Sequence, residues 1–245
     1  MNILVCSILR NRAFFIRRFY FLLNHLVRLD KNNSYSISIF ENDSMDGTSQ
    51  WIKAMDWSFF NKQYIKTTNL NLPFLSDSDQ YAQSVDRVRI LSWVRNQCID
   101  QVGDDLIKYD KILFLEAECL YYPKDIAKLI NMSKETHIYS PKSIMEKPEM
   151  LGDSWATRIN SKDRTYEELK NLKVIDTPND YLPLWSTYSY LCIYDIIPIL
   201  NGIKFGFFNK RLNIPDCDTA VICENFRDKG YEKIFMNTNI LVSHV

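Results

Sequence analysis

The feature that most constrains this chain is a repeated alternation of a short apolar run, a polar cluster, and apolar residues at helical spacing. Asn2 to Leu9 is almost continuously apolar, and beyond Asn11 the residues Phe14, Phe15, Phe19, Leu22, Leu23 and Leu26 recur with helical spacing. A second strand is expected over Tyr35 to Phe40. It runs into Glu41 to Thr48, a cluster of turn and cap formers, before the apolar positions Trp51, Ile52 and Met55. Ile65 and its neighbours fit a third strand. Ser84 to Val102 spreads Val85, Val88, Leu91, Trp93, Val94 and Cys98 over a broad helical face, and Lys111 to Leu115 is a buried-type strand leading directly into Glu116-Ala117-Glu118. This order predicts an α/β fold, a Rossmann-type mostly parallel sheet flanked by helices, with ligands beyond the carboxyl ends of its strands. The later part is less regular: Met150 to Lys173 is polar and loop-like, Ser189 to Tyr194 reads as a strand, Thr219 to Lys229 as a helix, and Ile240 to Ser243 as a last strand. No repeat or linker interrupts the sequence, so one domain over 1–245 is expected.

Composition removes several classes of function. Lys+Arg and Asp+Glu both number 30, giving a formal net charge of +0. A nucleic-acid binder of this size would carry a basic excess. The six glycines stand at 47, 103, 152, 202, 206 and 230, too dispersed for GxGxxG or a Walker loop. Six cysteines lie in apolar or mixed segments without a CxxC pair, which favours a reducing, cytoplasmic setting. Arg10, Arg12, Arg17 and Arg18 break up the greasy start, so neither a signal peptide nor an anchor is expected there. The longest uncharged run, Tyr181 to Tyr194, falls short of the roughly 20 residues that span a bilayer.

Among residues able to carry chemistry, Glu116 and Glu118 follow an apolar strand, where a slight break would turn both carboxylates into one cavity. Two hard oxygen donors suit Mg²⁺ or Mn²⁺, and the imidazole of His244, near the end of the chain, is of a type that completes Mn²⁺ sites. The plainer alternatives are a solvated Glu, a helix cap and a frayed terminal His. Arg87 and Arg95, eight apart on one helix, share a side able to hold phosphates, while Arg89 points elsewhere; an ordinary solvated face is the alternative. His25 and His137 stand alone. No Ser/His/Asp or Cys/His nucleophile set and no zinc spacing is apparent.

Taken together, these pieces resemble a nucleotide-sugar glycosyltransferase of the GT-A type, and more narrowly the cryptococcal capsule mannosyltransferase family. SISIFENDSMDGTSQWI resembles the family's second strand and acidic turn, RVRILSWVRNQCI its arginine-bearing helix, and YDKILFLEAECLYYPKDIAKLI its metal strand. GDSWATRI resembles an Asp-x-Trp-x-x-Arg segment, and DCDTAVICENFRDKGYEKIFMNTNILVSH the closing acidic-helix-strand unit. The similarity runs in order through residues 3 to 244, although Glu-Ala-Glu stands where related enzymes carry an Asp-centred motif.

The resemblance implies a nucleotide-binding half over 1–120 and an acceptor-side half over 121–245 whose C-terminus closes the metal site. It implies that Arg10, Asn11, Glu41 and Asp43 line the nucleotide pocket, that Arg95 with Arg87 or Arg89 faces the diphosphate, and that Glu116, Glu118 and His244 hold Mn²⁺ or Mg²⁺. Asp153, Trp155, Arg158, Asp216 and Asp218 would border the donor sugar and acceptor; Asp218 is equally placed to be a helix N-cap.

The expected activity is therefore metal-dependent transfer of a hexose, mannose with retention foremost, from a GDP- or UDP-linked sugar to a glycan hydroxyl. The expected location is cytoplasmic, peripheral to a membrane carrying the acceptor. An inverting transferase of another sugar, such as rhamnose or xylose, would use Asp218 or Asp216 as base. A sugar nucleotidyltransferase would need a glycine-rich phosphate loop, and a non-catalytic glycan- or nucleotide-binding module would not need the metal carboxylates.

Overall fold

The computed structural model describes residues 1–73, 84–144, 153, 155–160 and 178–244. Four strands, β1 (Asn2–Leu9), β2 (Ser34–Asn42), β3 (Gln63–Thr68) and β4 (Lys111–Leu115), pair in parallel in the order β3-β2-β1-β4. Their connections are α1 (Ala13–Leu29), α2 (Thr48–Ala54) and α3 (Val85–Asp100). The sheet then continues through the later half: β4, β8 (Leu191–Asp195), β6 (Ile138–Ile144), β11 (Ile234–His244) and β5 (Cys119–Leu120) follow in that order, and β7 (Leu182–Pro183) also pairs with β11. β8 is antiparallel to β4 and β6, and β5 and β7 are antiparallel to β11; the other pairings in this sheet are parallel, and between β8 and β11 lie the short helix α5 (Ile196–Leu200) and a separate antiparallel pair, β9 (Phe208–Asn209) and β10 (Ile214–Pro215). The expected mostly parallel α/β sheet is therefore present, with the antiparallel pairings made by β5, β7 and β8. The last strand is longer than Ile240 to Ser243, and the expectation for 150–173 lies mostly outside the described residues.

The pleat of β1 divides the core. Ile3 and Val5 pack with the buried faces of α1, α2 and α4 (Pro123–Met132), through Phe19, Leu23, Ile52 and Ile130. Leu4 and Cys6 face the other way, onto Val94 and Cys98 of α3 and Phe226 of α6 (Asp218–Arg227). Alternate residues of a strand address opposite faces, and both are covered by helices here, which is why β1 reads as a continuous apolar run. All six cysteines are buried free thiols.

Two strands carry features no apolar run reveals. Pro141, within β6, has no N–H for the ladder, and β11 jumps register opposite it, from Asn237 to Leu241. Asn237 Oδ1 accepts hydrogen bonds from the backbone N–H of Asn239 (2.9 Å) and Ile240 (3.0 Å), which closes the bulge. Two-residue β5 exists only because the chain end returns to it, pairing Ser243 with Leu120 and His244 with Cys119.

Candidate active site

The turns after β1 and β2 are locked together at the carboxyl edge of the sheet. Asn11 (φ 53°) and Asp43 (φ 55°) both adopt the left-handed conformation that Asn and Asp tolerate better than other side chains. Asn11 N donates to Ser44 Oγ (2.9 Å) and Met45 N to Asn11 Oδ1 (2.8 Å). The start of α1 is held by α2's cap region: Arg12 N donates to Thr48 Oγ1 (2.7 Å) and Ala13 N to Asp46 Oδ2 (2.9 Å). Glu41 is buried and accepts from Ser44 N at 3.1 Å.

Asp43 organises the loop that follows β3. Its carboxylate accepts the backbone N–H groups of Leu70 (2.6 Å), Asn71 (2.8 Å) and Leu72 (3.2 Å) and the side-chain amide of Asn42 (2.9 Å). Burial alone would raise its pKa, but these donors outweigh it and hold the carboxyl below its ordinary range. The loop so fixed presents the carbonyls of Leu72 and Pro73 to the Arg10 guanidinium, at 2.7 and 3.0 Å. Thus Asn11, Glu41 and Asp43 shape the rim, while Arg10 and Asn42 line the cavity.

That cavity, of about 440 Å³, opens over the ends of β1, β2 and β4. Of the residues singled out from sequence, it gathers Arg10, Arg87, Arg95, Glu116, Glu118, Asp153, Trp155, Asp218 and His244. It does not gather Asn11, Glu41, Asp43, Arg89, Arg158 or Asp216. Arg89 instead covers the ring of Phe207 at 4.9 Å. Arg158 and Asp216 form a buried two-pronged ion pair, at 2.6 and 2.7 Å, behind the wall. Asp216 also accepts from Asn209 and from the N–H of Cys217, so the pair braces the segment that enters α6.

Arg95 is the hub of the site. Its Nε donates to Asp218 (2.7 Å), one terminal nitrogen to the Tyr188 hydroxyl (2.6 Å) and the other to Glu116 (3.2 Å), and its guanidinium lies against the rings of Phe114 and Tyr188. Burial opposes the Arg95 charge, but Tyr188, Asp218 and Glu116 more than offset it and keep the residue protonated. Asp218 is therefore not an N-cap: its carboxylate is turned to Arg95, and α6 has no side-chain cap at its start. Burial pushes the Asp218 carboxyl upward, opposed by Arg95.

Across the cavity, Asp153 accepts N–H groups from Ala156 and Ser189, each at 3.2 Å. Burial, aided by the nearby charge of Glu116, pushes its carboxyl up to about 6. Ser189 and Tyr190 both hold positive φ (62° and 60°), a conformation costly for residues other than glycine and typical of a site the surrounding structure over-determines. The pair leads into β8; Tyr190 O accepts from Glu116 N (3.0 Å), and the Tyr190 ring lies 4.4 Å from that of His244.

Sequence reasoning passed over Arg12, Tyr188, Tyr190, Cys217 and Thr219, all in the cavity wall. The alternation of polar residues with tyrosines over Ser186 to Tyr190 was the available signal for two of them.

The pairing of His244 with Cys119 brings Glu116, Glu118 and His244 to one cavity. As hard oxygens plus an imidazole, the donors fit Mn²⁺ or Mg²⁺ in chemistry. Their present arrangement is an arginine-paired one: Glu118 is ion-paired with Arg12 and Glu116 with Arg95, and among the described residues no three His, Cys, Asp or Glu groups converge as a metal site.

The sheet, its helices and this carboxyl-edge cavity form an α/β fold of the GT-A type, and structural relatives share it. S. aureus TarS 1-349 superimposes with a TM-score of 0.57 at 12% identity, over 100% of this chain and 60% of that one. The mannosyltransferase PcManGT from Pyrobaculum calidifontis, solved in complex with GDP-Man and Mn²⁺, gives 0.54 at 8% identity, over 99% of this chain and 56% of that one. The chain thus spans about 60% of the TarS 1-349 structure. No curated protein matches the chain by sequence. The chain belongs to the family described as Cryptococcal mannosyltransferase 1, whose match covers residues 2–189.

Proposed function

We propose that this domain transfers a hexose, mannose foremost, from a nucleoside-diphosphate sugar to a hydroxyl of a glycan acceptor. The observation that carries this reading is the cavity at the carboxyl edge, whose lining brings the cations Arg10, Arg12 and Arg87 together with the carboxylates Glu116, Glu118, Asp153 and Asp218. Its size suits a small polar ligand, and Ile8, Leu9, Ile90, Leu91 and Val94 supply an apolar wall for a base. Arg10 and Arg87 would receive the diphosphate, and Arg95, whose donors are already committed, would hold Glu116 and Asp218 in place. Support for the donor class comes from the relatives: TarS was solved with UDP and with UDP-GlcNAc, and PcManGT with GDP-Man.

Glu116, Glu118 and His244 would hold a divalent cation, which when bound neutralises charge developing on the departing nucleoside diphosphate. For that, Glu118 would exchange Arg12 for the cation, releasing a guanidinium toward the same phosphates. Membership in a mannosyltransferase family supports retention. A second reading, inversion, is favoured by Asp153: a carboxyl that ionises near 6 in the cavity wall is suited to accept the acceptor's proton. We place the enzyme in the cytoplasm, at the surface of a membrane that carries the acceptor. The test is donor turnover across GDP- and UDP-sugars with Mn²⁺ and with excess chelator, with the anomeric configuration of the product read by NMR. Turnover that needs the metal and falls on the order of 10²-fold in Glu118→Ala is expected; full activity in chelator would remove the cation from the account.

A further inference from the structure

The layer of α2, α1 and α4 on one side of the sheet has an outer surface unlike the rest of this electrically neutral chain. α1 contains no Asp or Glu, and its outward positions are Phe14, Arg17, Phe21, His25 and Arg28, spaced three to four apart along one stripe. Phe14 is 87% exposed and Phe21 62%. On the flanking helices, α2 presents Trp51 and Lys53, and α4 presents Lys124 and Lys128 beside Tyr122, which is 76% exposed. The acid within these helices, Asp125, is half-buried; the others around them, buried Asp30 and Glu118 and, at the margins, Asp46, Asp56, Glu135 and Asp180, lie off the helices themselves.

Exposing large aromatic rings to water has no stabilising purpose in a monomer, and here the rings alternate with cations. Arg17 lies over the Trp51 ring at 5.9 Å, the arrangement in which an amphipathic side chain keeps its head at a polar boundary. Among the described residues, no helix is long and apolar enough to cross a membrane. Rings that reach the headgroup level together with cations that meet anionic headgroups are the chemistry of a surface-lying face. From this charge complementarity we infer that the α2-α1-α4 face docks on an anionic phospholipid bilayer. The face adjoins the cavity: Arg12, immediately before α1, lines it, and Arg18 donates to the carbonyl of Glu118 (3.3 Å). A docked domain would therefore hold the cavity mouth near the membrane, where a lipid-borne acceptor could enter; this consequence rests on the transferase reading, while the docking does not.

Flotation of the purified chain with phosphatidylcholine vesicles, with and without phosphatidylglycerol, tests the inference. Binding is expected only with the anionic lipid and should weaken as salt rises from about 0.1 M to about 0.5 M. Each cation near an anionic surface is worth roughly fivefold in affinity, so loss of three accounts for about 100-fold, and Arg17→Glu/Lys124→Glu/Lys128→Glu, which reverses their charge, should lower binding by at least that much. Phe14→Ser/Phe21→Ser should lower it about tenfold or more. Lys210→Glu/Lys229→Glu/Lys233→Glu, on exposed sites outside the three helices, should bind as wild type. All these side chains are exposed or nearly so, and unchanged thermal melts establish that the variants fold. Equal binding to both vesicle types, no binding to either, or equal loss in the control would overturn the inference. Capture of polyglutamate with anionic vesicles left unbound would assign the face to an acidic polypeptide instead. Nucleotide titration of the same variants separates a failed docking surface from a failed transferase reading.

Discussion

Arg95 Nε lies 2.7 Å from Asp218 Oδ2, joining α3 to the start of α6 across 123 residues of sequence. Both side chains are buried, and the same guanidinium also holds Glu116 and Tyr188. Two carboxylates of the cavity wall, Glu116 and Asp218, are thereby positioned by one cation.

Removal of that cation leaves two carboxylates facing each other inside the fold. Arg95→Met should destabilise the domain by about 3–5 kcal/mol, the usual consequence of breaking a buried pair from one side. Arg95→Met/Asp218→Asn should recover part of the loss, because the uncompensated charge goes with its partner. Urea unfolding of the three proteins reads this directly, and a double variant no more stable than the single would contradict it.

A loop organiser and a ligand contact respond differently to substitution. Asp43→Asn should lower hydrogen-exchange protection at Leu70, Asn71 and Leu72, whose N–H groups the carboxylate accepts, at a cost of about 1–3 kcal/mol. The folded pKa of Asp43 is depressed, so its contribution is present above the ordinary carboxyl range and lost as pH falls through the folded value. Protection at these amides should accordingly fade on acidification in wild type and stay flat in the variant. Unchanged protection in Asp43→Asn at neutral pH would return Asp43 to the nucleotide.

Asp153 titrates in the opposite sense. Its folded pKa, pushed up to about 6, lies above the ordinary value of 3.8, so the folded state binds the proton more tightly and loses stability as pH rises from about 4 to 6. Asp153→Asn should therefore stabilise the domain at pH 8 by up to about 2 kcal/mol and leave it little changed at pH 4. If the carboxylate is also the base, wild-type kcat/KM should rise about tenfold per pH unit below 6 and level off above it, and the variant should lose that limb. A pH-independent wild-type rate over this range would exclude the base role.

The parallel half of the fold was legible because its strands are buried on both faces: Asn2–Leu9 and Lys111–Leu115 are almost continuously apolar, and the helices between them keep their spacing. β6 was not, since Ser140, Lys142 and Ser143 are buried but polar and Pro141 is a strand breaker, and only pairing with β11 makes them a strand. β5 is likewise a product of the chain end. In the site, residue types at strand ends pointed to the edge where the cavity lies, yet sequence did not tell which polar groups face the cavity and which face each other. Asp43 and Asp216 look alike in sequence to Asp153 and Asp218; one is occupied by three backbone N–H groups and the other by Arg158. Partner distances of this kind are set by tertiary structure, and no local pattern encodes them.

Calorimetric titration of the folded domain with GDP, UDP and their sugars, in Mn²⁺ and in chelator, tests most directly that the cavity is a nucleoside-diphosphate-sugar site. One nucleotide series should bind in Mn²⁺, chelator should weaken it by tenfold or more, about 1.4 kcal/mol, and Glu116→Gln/Glu118→Gln should reproduce the chelator result in a folded protein. A folded wild type that binds no nucleoside diphosphate or nucleotide sugar in Mn²⁺ would contradict it.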